Sequence, residues 1–168
     1  MGPHHAGDMI KHVSGDILLS GAQAIAHGIA PNDHFDSGLA LSLRQDWPAL
    51  YKDLRHYLHT THPKPGELWV WTRADGHRVV NLFTQEPAPN EHARPGKASY
   101  HNVNLCLREL HKWLEHEKVG SLALPRLATG VGGLEWDQVE PLIRQHLGAL
   151  GIPIFLYTTY QKGVKASE

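Results

Sequence analysis

Short apolar runs alternate along this chain with amphipathic stretches, and each run predicts one element. Ile10-Lys11-His12-Val13 alternates as a short strand that ends at Ser14-Gly15-Asp16. Ala24 to Ile29 is a small-residue apolar run, the pattern of a strand covered on both faces. A polar loop over 31–38 follows. A helix starting near Ser37 then carries Leu39, Leu43 and Trp47 toward a core. Pro48 punctuates it, and Ala49 to His59 resumes as a second helix with Leu50, Leu54 and Leu58 on one face. Glu67–Thr72 and Arg78–Thr84 read as strands joined through the hairpin dipeptide Asp75-Gly76. Residues 85–97 (QEPAPNEHARPGK) are too polar and too punctuated by Pro and Gly for core. Ala98 to Glu117 is the longest predicted helix, its buried stripe Val103, Leu107, Leu110 and Leu114. Val119–Leu124 predicts a strand, Glu135–Leu150 a helix and Ile152–Thr158 a final strand.

This order mixes βαβ units with one hairpin and predicts a three-layer α/β/α sandwich around a central mixed sheet. A single domain over 10–160 is expected, preceded by a disordered segment 1–9 and followed by a polar, frayed tail 161–168. Ligands in such sheets sit at the carboxyl ends of the central strands. The loops after His27, after Thr84 and after Leu127 therefore converge on one edge as a binding cleft.

Composition narrows the chemistry. Hydrophobic content of 41% and charged content of 20% describe an ordinary soluble globule. Sixteen Lys+Arg against 17 Asp+Glu give no bulk attraction for nucleic acid or membranes, so an anionic ligand must be held by oriented backbone amides or a local patch. The lone Cys106 excludes a disulfide framework and a Cys-based zinc site within the chain, and points to a reducing, cytoplasmic setting. No apolar run reaches transmembrane length, and Met1-Gly2-Pro3-His4-His5 lacks the apolar core of a signal peptide. Fourteen histidines are many for 168 residues. His56, His59 and His62 cluster at i, i+3, i+6 without a carboxylate to complete a metal motif, so they are read as helix-surface residues, with no metal and no cofactor expected.

The stretch from Leu124 to Trp136 carries more. It reads as an apolar strand entering a glycine-rich turn that opens a helix. Gly130, Gly132 and Gly133 free the backbone to turn its N–H groups inward, and the helix N-terminus adds partial positive charge. Such a turn suits a phosphate, and it also suits a plain strand-to-helix connection. It is neither a Walker loop nor a G-x-G-x-x-G fingerprint, since no Lys-Ser/Thr follows and the third glycine is missing.

Four motifs now fall in order. Val13-Ser14-Gly15-Asp16-Ile17-Leu18 resembles the V-x-G-D-I/L opening of macrodomains, the ADP-ribose-binding modules. Asp36-Ser37-Gly38-Leu39-Ala40 resembles their G-x-G-I-A loop before the first helix. Pro125 through Trp136 is similar to the P-R-x-x-x-G-x-x-x-L-x-W phosphate loop, and Phe155-Leu156-Tyr157-Thr158 to the V-Y-T ending. These last two forms typify the branch with terminal ADP-ribose glycohydrolases, DarG antitoxins and yeast ADP-ribose-1″-phosphate phosphatase. The resemblance spans residues 10–160. It implies that Asp16 and the Ile17 N–H meet adenine and that Tyr157 stacks on it. It further implies that Thr129, Gly130, Val131, Gly132, Gly133 and Leu134 wrap the diphosphate, with Ser37, Gly38 and Leu39 facing them.

Departures from the family pattern matter equally. Gln85 stands where glycohydrolases of this branch carry a lysine, and Gly132 where the human-type enzyme carries an aspartate. The lysine-dependent mechanism is therefore not expected. A water held near the ligand's phosphate and assisted by Asp33, His34 or Asp36 remains as a route, with His27 as a further candidate base and Gln85 as an orienting amide. The same residues have plainer uses: His27 as a satisfied core histidine, Asp36 beside a helix N-cap. The resemblance thus implies ADP-ribose binding with hydrolytic removal of ADP-ribose from protein or nucleic acid. A non-catalytic reader and an ADP-ribose-1″-phosphate phosphatase stand as alternatives. Arg94 and Lys97 in the 85–97 loop are placed to meet an acidic partner.

Overall fold

A computed structural model describes residues 8–168. Its six strands are β1 (Ile10–Gly15), β2 (Ala24–Ile29), β3 (Leu68–Thr72), β4 (Arg78–Phe83), β5 (Leu122–Pro125) and β6 (Ile154–Tyr160). Four helices accompany them: α1 (Gly38–Asp46), α2 (Pro48–Thr61), α3 (Tyr100–His116) and α4 (Trp136–Leu147). The strands form one sheet in the order β1-β6-β5-β2-β4-β3. Only the β3–β4 hairpin is antiparallel; the other pairs run parallel. The expected mixed-sheet sandwich is the observed fold.

Side chains of alternate strand residues feed two cores, as the period-2 geometry of a strand demands. Ala24, Ala26, Val80, Leu82, Leu122, Leu124 and Leu156 pack against the stripe Val103, Leu107, Leu110 and Leu114 of α3 and against Val139, Ile143 and Leu147 of α4. On the other face, Ile29, Val79 and Phe83 pack with Phe35, Leu43, Leu50 and Leu54 under α1 and α2. Each fully buried Leu contributes about 1.5–3 kcal/mol relative to exposure, so the stripes of α3 and α4 together anchor their layer.

Boundaries shift by a few residues where packing overrides pattern. A 3-10 turn over Ile17–Leu19, absent from the sequence reading, is capped by the Asp16 side chain. The strand predicted to start at Val119 begins at Leu122, because the Val119 N–H still donates to the Leu114 carbonyl of α3 and the Gly120 N–H to Gln23 Oε1. The final strand runs to Tyr160 rather than Thr158. Of the expected disordered segment 1–9, only Asp8 and Met9 are among the described residues. Asp8 accepts from the Ile10 N–H and pairs with Arg144.

The frayed tail is a correction. Residues 161–168 fold back onto β1: the Gln161 N–H donates to the Gly15 carbonyl, the Asp16 N–H to the Val164 carbonyl, and Ala166 is buried among Val13, Ile17 and Tyr157. A polar composition hid one apolar contact and a set of backbone bonds that exist only when β1 lies alongside.

Candidate functional site

The carboxyl ends of β2, β4, β5 and β6 open into a cleft of about 360 Å³. Two backbone segments line it. Ser37 caps α1 without a side-chain hydrogen bond, so the first N–H groups of that helix lack intrahelical acceptors and point out of its end. The second segment is the turn Ala128–Gly132. No acceptor among the described residues takes the N–H groups of Gly130, Val131 or Gly132. Two sets of free amides in one cleft suit a doubly charged diphosphate in a protein without excess positive charge. Arg126, exposed on the same rim, adds one cation.

The turn is built around its glycines. A Cβ on Gly132 would lie 2.6 Å from the Ala128 carbonyl oxygen and 3.0 Å from the Ala98 Cβ. Gly132 therefore marks a close backbone approach, and an aspartate there would have to move the loop. Ala128 sits in the left-handed region at φ 63, an uncommon conformation for a residue with a Cβ. Gly133 and Leu134 do not line the cleft: their N–H groups close the turn on the carbonyls of Gly130 and Ala128, and Leu134 packs on the α3–α4 core. Of the loop residues expected to wrap a diphosphate, Thr129–Gly132 line the cleft.

At one end of the cleft stand His27, Asp33, Asp36 and Gln85. Most of these groups are already engaged. His27 is 2% exposed, and its Nε2 lies 2.7 Å from Asn81 Oδ1. The Asn81 amide donates to the Trp69 and Val79 carbonyls, so its Oδ1 is the acceptor and Nε2 of His27 carries the proton. Burial pushes the His27 pKa below its ordinary value and outweighs the opposing pull of Asn81 and Asp33. His27 is a neutral core histidine, edge-on to Phe35. Asp33 is an architectural carboxylate: one oxygen accepts from the Ala30 N–H at 3.1 Å, the other from the Phe35 N–H at 2.9 Å. These bonds hold Phe35, at φ 54, in the loop. Gln85 donates its amide to the Gly96 carbonyl, tying the 85–97 loop to β4.

Asp36 differs. It is exposed, has no hydrogen-bond partner among the described residues, and lines both the cleft and an adjoining cavity of about 650 Å³. That second cavity also holds His34, His92, Arg94 and Lys97. His34 lies there rather than in the cleft itself.

At the other end, Tyr157, Thr158 and Tyr160 line the wall. Asp16 and Ile17 do not. The Asp16 carboxylate accepts from the Leu18 N–H at 3.0 Å and from the Gly163 N–H at 2.9 Å, and Ile17 is 2% exposed. The structure thus does not bring this pair to the cleft as the sequence resemblance implied. Tyr160 and Arg126 were missed; the β6 pattern, had it been extended two residues, reaches Tyr160. His56, His59 and His62 lie exposed along a separate groove with Arg55 and Lys64.

No family model matches the chain. It is 25% identical over 164 residues to a DNA ADP-ribosyl transferase-DNA ADP-ribosyl glycohydrolase fusion protein of Thermosipho africanus, covering 90% of this chain and 42% of that one. It is 26% identical over 153 residues to the human ADP-ribose glycohydrolase OARD1, covering 90% of this chain and 93% of the relative. The chain therefore spans about two-fifths of the Thermosipho relative and nearly all of the human one. The macrodomain of Thermus aquaticus DarG superposes with a TM-score of 0.77 at 23% identity, over 89% of this chain and 98% of that one. The fold is that of a macrodomain, with the cleft at the strand ends, and in sequence the chain is similar to the DarG and OARD1 relatives.

Proposed function

We propose that this protein binds ADP-ribose and hydrolytically removes it from a modified macromolecule. The observation that carries the reading is that two backbone segments whose N–H groups lack acceptors among the described residues, at Gly130–Gly132 and at the start of α1, line one cleft. It is supported by relatives named as glycohydrolases of ADP-ribose and of ADP-ribosylated DNA.

In this reading the diphosphate lies between the two amide sets, and the distal ribose reaches Asp36 and Gln85. Asp36 is the general base: it is the carboxylate of that end with no structural engagement, and it borders both the cleft and the cavity beside it. A water activated there attacks the anomeric carbon of the distal ribose, and the bond to the macromolecule breaks. Asp33 and His27 hold the loop and the sheet beneath rather than moving protons. The cavity lined by Arg94 and Lys97 receives the modified macromolecule, whose acidic groups suit those two cations.

A second reading, a non-catalytic reader, is favoured by one specific observation: Gln85, where the branch carries its lysine, has its amide engaged on the Gly96 carbonyl. The experiment that separates the readings treats ADP-ribosylated proteins and single-stranded DNA and RNA ends with the protein and scores released ADP-ribose. Release from any of them supports the hydrolase. Tight ADP-ribose binding without release supports the reader, and phosphate release from ADP-ribose-1″-phosphate alone marks a phosphatase. Calorimetric titration of the folded protein with ADP-ribose showing no binding would overturn all three.

A further inference from the structure

A groove of about 710 Å³ runs beside α2. His34 lines both this groove and the cavity of about 650 Å³, and Asp36, Ser37 and Val131 line both that cavity and the cleft. The three hollows therefore follow one another across the surface, with Asp36 where the cleft meets the cavity. One wall of the groove comes from local sequence. Arg55, His59 and His62 recur at i, i+4 and i+7, which places them on one face of α2 and its C-cap. His62 turns the chain in the left-handed region at φ 51, and Lys64 lines the groove beyond it.

Arg55, His56, His59, His62 and Lys64 are exposed, and none is in an ion pair among the described residues. The one carboxylate in the lining is Asp33, buried and turned to the Ala30 and Phe35 N–H groups. The neighbouring cavity is mixed by comparison, with Arg94 and Lys97 beside Asp36 and Glu91. Cations and imidazoles with no exposed carboxylate among them draw an anionic chain. Most of these groups are also planar. An imidazole or a guanidinium donates an N–H to a phosphate oxygen, and it offers a flat face to an unstacked base. A single-stranded nucleic acid presents phosphates and bases along its length, whereas an acidic peptide brings carboxylates without bases.

We propose that the groove beside α2 is a second binding site, for single-stranded nucleic acid, and that it holds the strand running on from a modified nucleotide at Asp36. The position of that nucleotide rests on the ADP-ribose reading above; the groove's hold on a strand rests on its own side chains. Phosphate contacts and stacking are both indifferent to sequence, so the site grips a strand without reading it. Arg55 and Lys64 supply the permanent charge, and His56, His59 and His62 supply donors and faces between them.

Fluorescence anisotropy of an unmodified, labelled oligothymidylate of about twelve nucleotides, titrated with the full chain at low salt, tests the groove without ADP-ribose. Binding is expected, and it should weaken as salt rises. The double variant Arg55→Gln/Lys64→Gln is expected to bind the strand about tenfold or more weakly. Its slope of log affinity against log salt should be shallower by about 1.4, since each phosphate contact on a single strand contributes about 0.7. Its calorimetric affinity for ADP-ribose should be unchanged. Both side chains are exposed, so the variant keeps the fold, which circular dichroism verifies. Arg108→Gln/Lys112→Gln, on α3 across the sheet, removes the same charge and is expected to leave the strand bound. No binding of the strand, or equal loss in the two double variants, overturns the site. Tighter binding of an oligoglutamate peptide than of the strand overturns the nucleic-acid assignment. Absence of ADP-ribose binding in the unmodified protein instead overturns the reading of the cleft, while the strand measurement still decides the groove.

Discussion

The middle of the cleft and the end that holds Asp36 are made from opposite materials. In the middle, backbone amides do the work, and the side chains matter for how little space they take: Gly132 has the Ala128 carbonyl where a Cβ would go. At the Asp36 end, side chains with catalytic potential are abundant, yet most hold the structure together. Asp33 bridges two backbone N–H groups, His27 is bonded to Asn81, and Gln85 ties down Gly96. Asp36 is the exception. A residue list reads the second region as richer in chemistry, while the hydrogen bonds leave it one unengaged carboxylate. In the proposed function, binding is spread over many amides and turnover depends on one group.

That contrast can be broken at several points. Gly132→Asp, which introduces the family aspartate, is expected to displace the turn rather than restore a mechanism. Losing two amide bonds to a charged ligand, at about 1.5–3 kcal/mol each, predicts ADP-ribose affinity falling by at least about a hundredfold in calorimetry. Affinity equal to the unmodified protein would show that the loop accepts a side chain there. Asp33→Ala should act on stability first. Two buried N–H groups lose a charged acceptor, and urea denaturation should show a loss of about 2–3 kcal/mol. A stable variant with abolished turnover would instead make Asp33 the base.

Asp36→Ala is expected to slow release of ADP-ribose by more than about tenfold with ADP-ribose affinity nearly unchanged, the split that separates turnover from binding. Equal turnover would remove Asp36 from the role. His27 gives a subtler signature. Its folded pKa is depressed, so between that value and the ordinary histidine pKa the unfolded chain binds the extra proton. Its contribution to stability is complete above the ordinary value and is lost as pH falls through it. The urea midpoint should therefore fall more steeply below pH ~6.5 in the unmodified protein than in His27→Gln. Parallel curves would mean that His27 is accessible to protons in the fold. Smallest is Cys106: burial pushes its thiol up to about 12, so labelling by a thiol reagent at neutral pH should await unfolding.

Much of this was legible before any coordinates. The α3 stripe of Val103, Leu107, Leu110 and Leu114 is a helical period and lands fully in the core. The glycine turn after Leu127 was readable as a turn suited to a phosphate because glycine spacing is a local signal, whereas the facing role of the loop before α1 came from the family resemblance. What stayed hidden is non-local. Asp16 looked like a ligand contact because its motif is intact, and only the docked segment 161–168 shows its carboxylate bonded to Gly163, 147 positions away. Asp33, His34 and Asp36 are nearly equivalent in sequence; the turn that forms at Ala30–Phe35 separates them.

Periodicity, glycine placement and strand order needed only the chain itself, since they depend on side-chain size and on which face of a helix or strand a residue occupies. Which polar groups remain free required the tertiary structure. A buried carboxylate or imidazole must be satisfied by whatever backbone or side chain arrives beside it, and that partner comes from a distant part of the chain. For this protein the first kind of information yields the macrodomain sheet and its amide-lined cleft. The second leaves Asp36 unengaged.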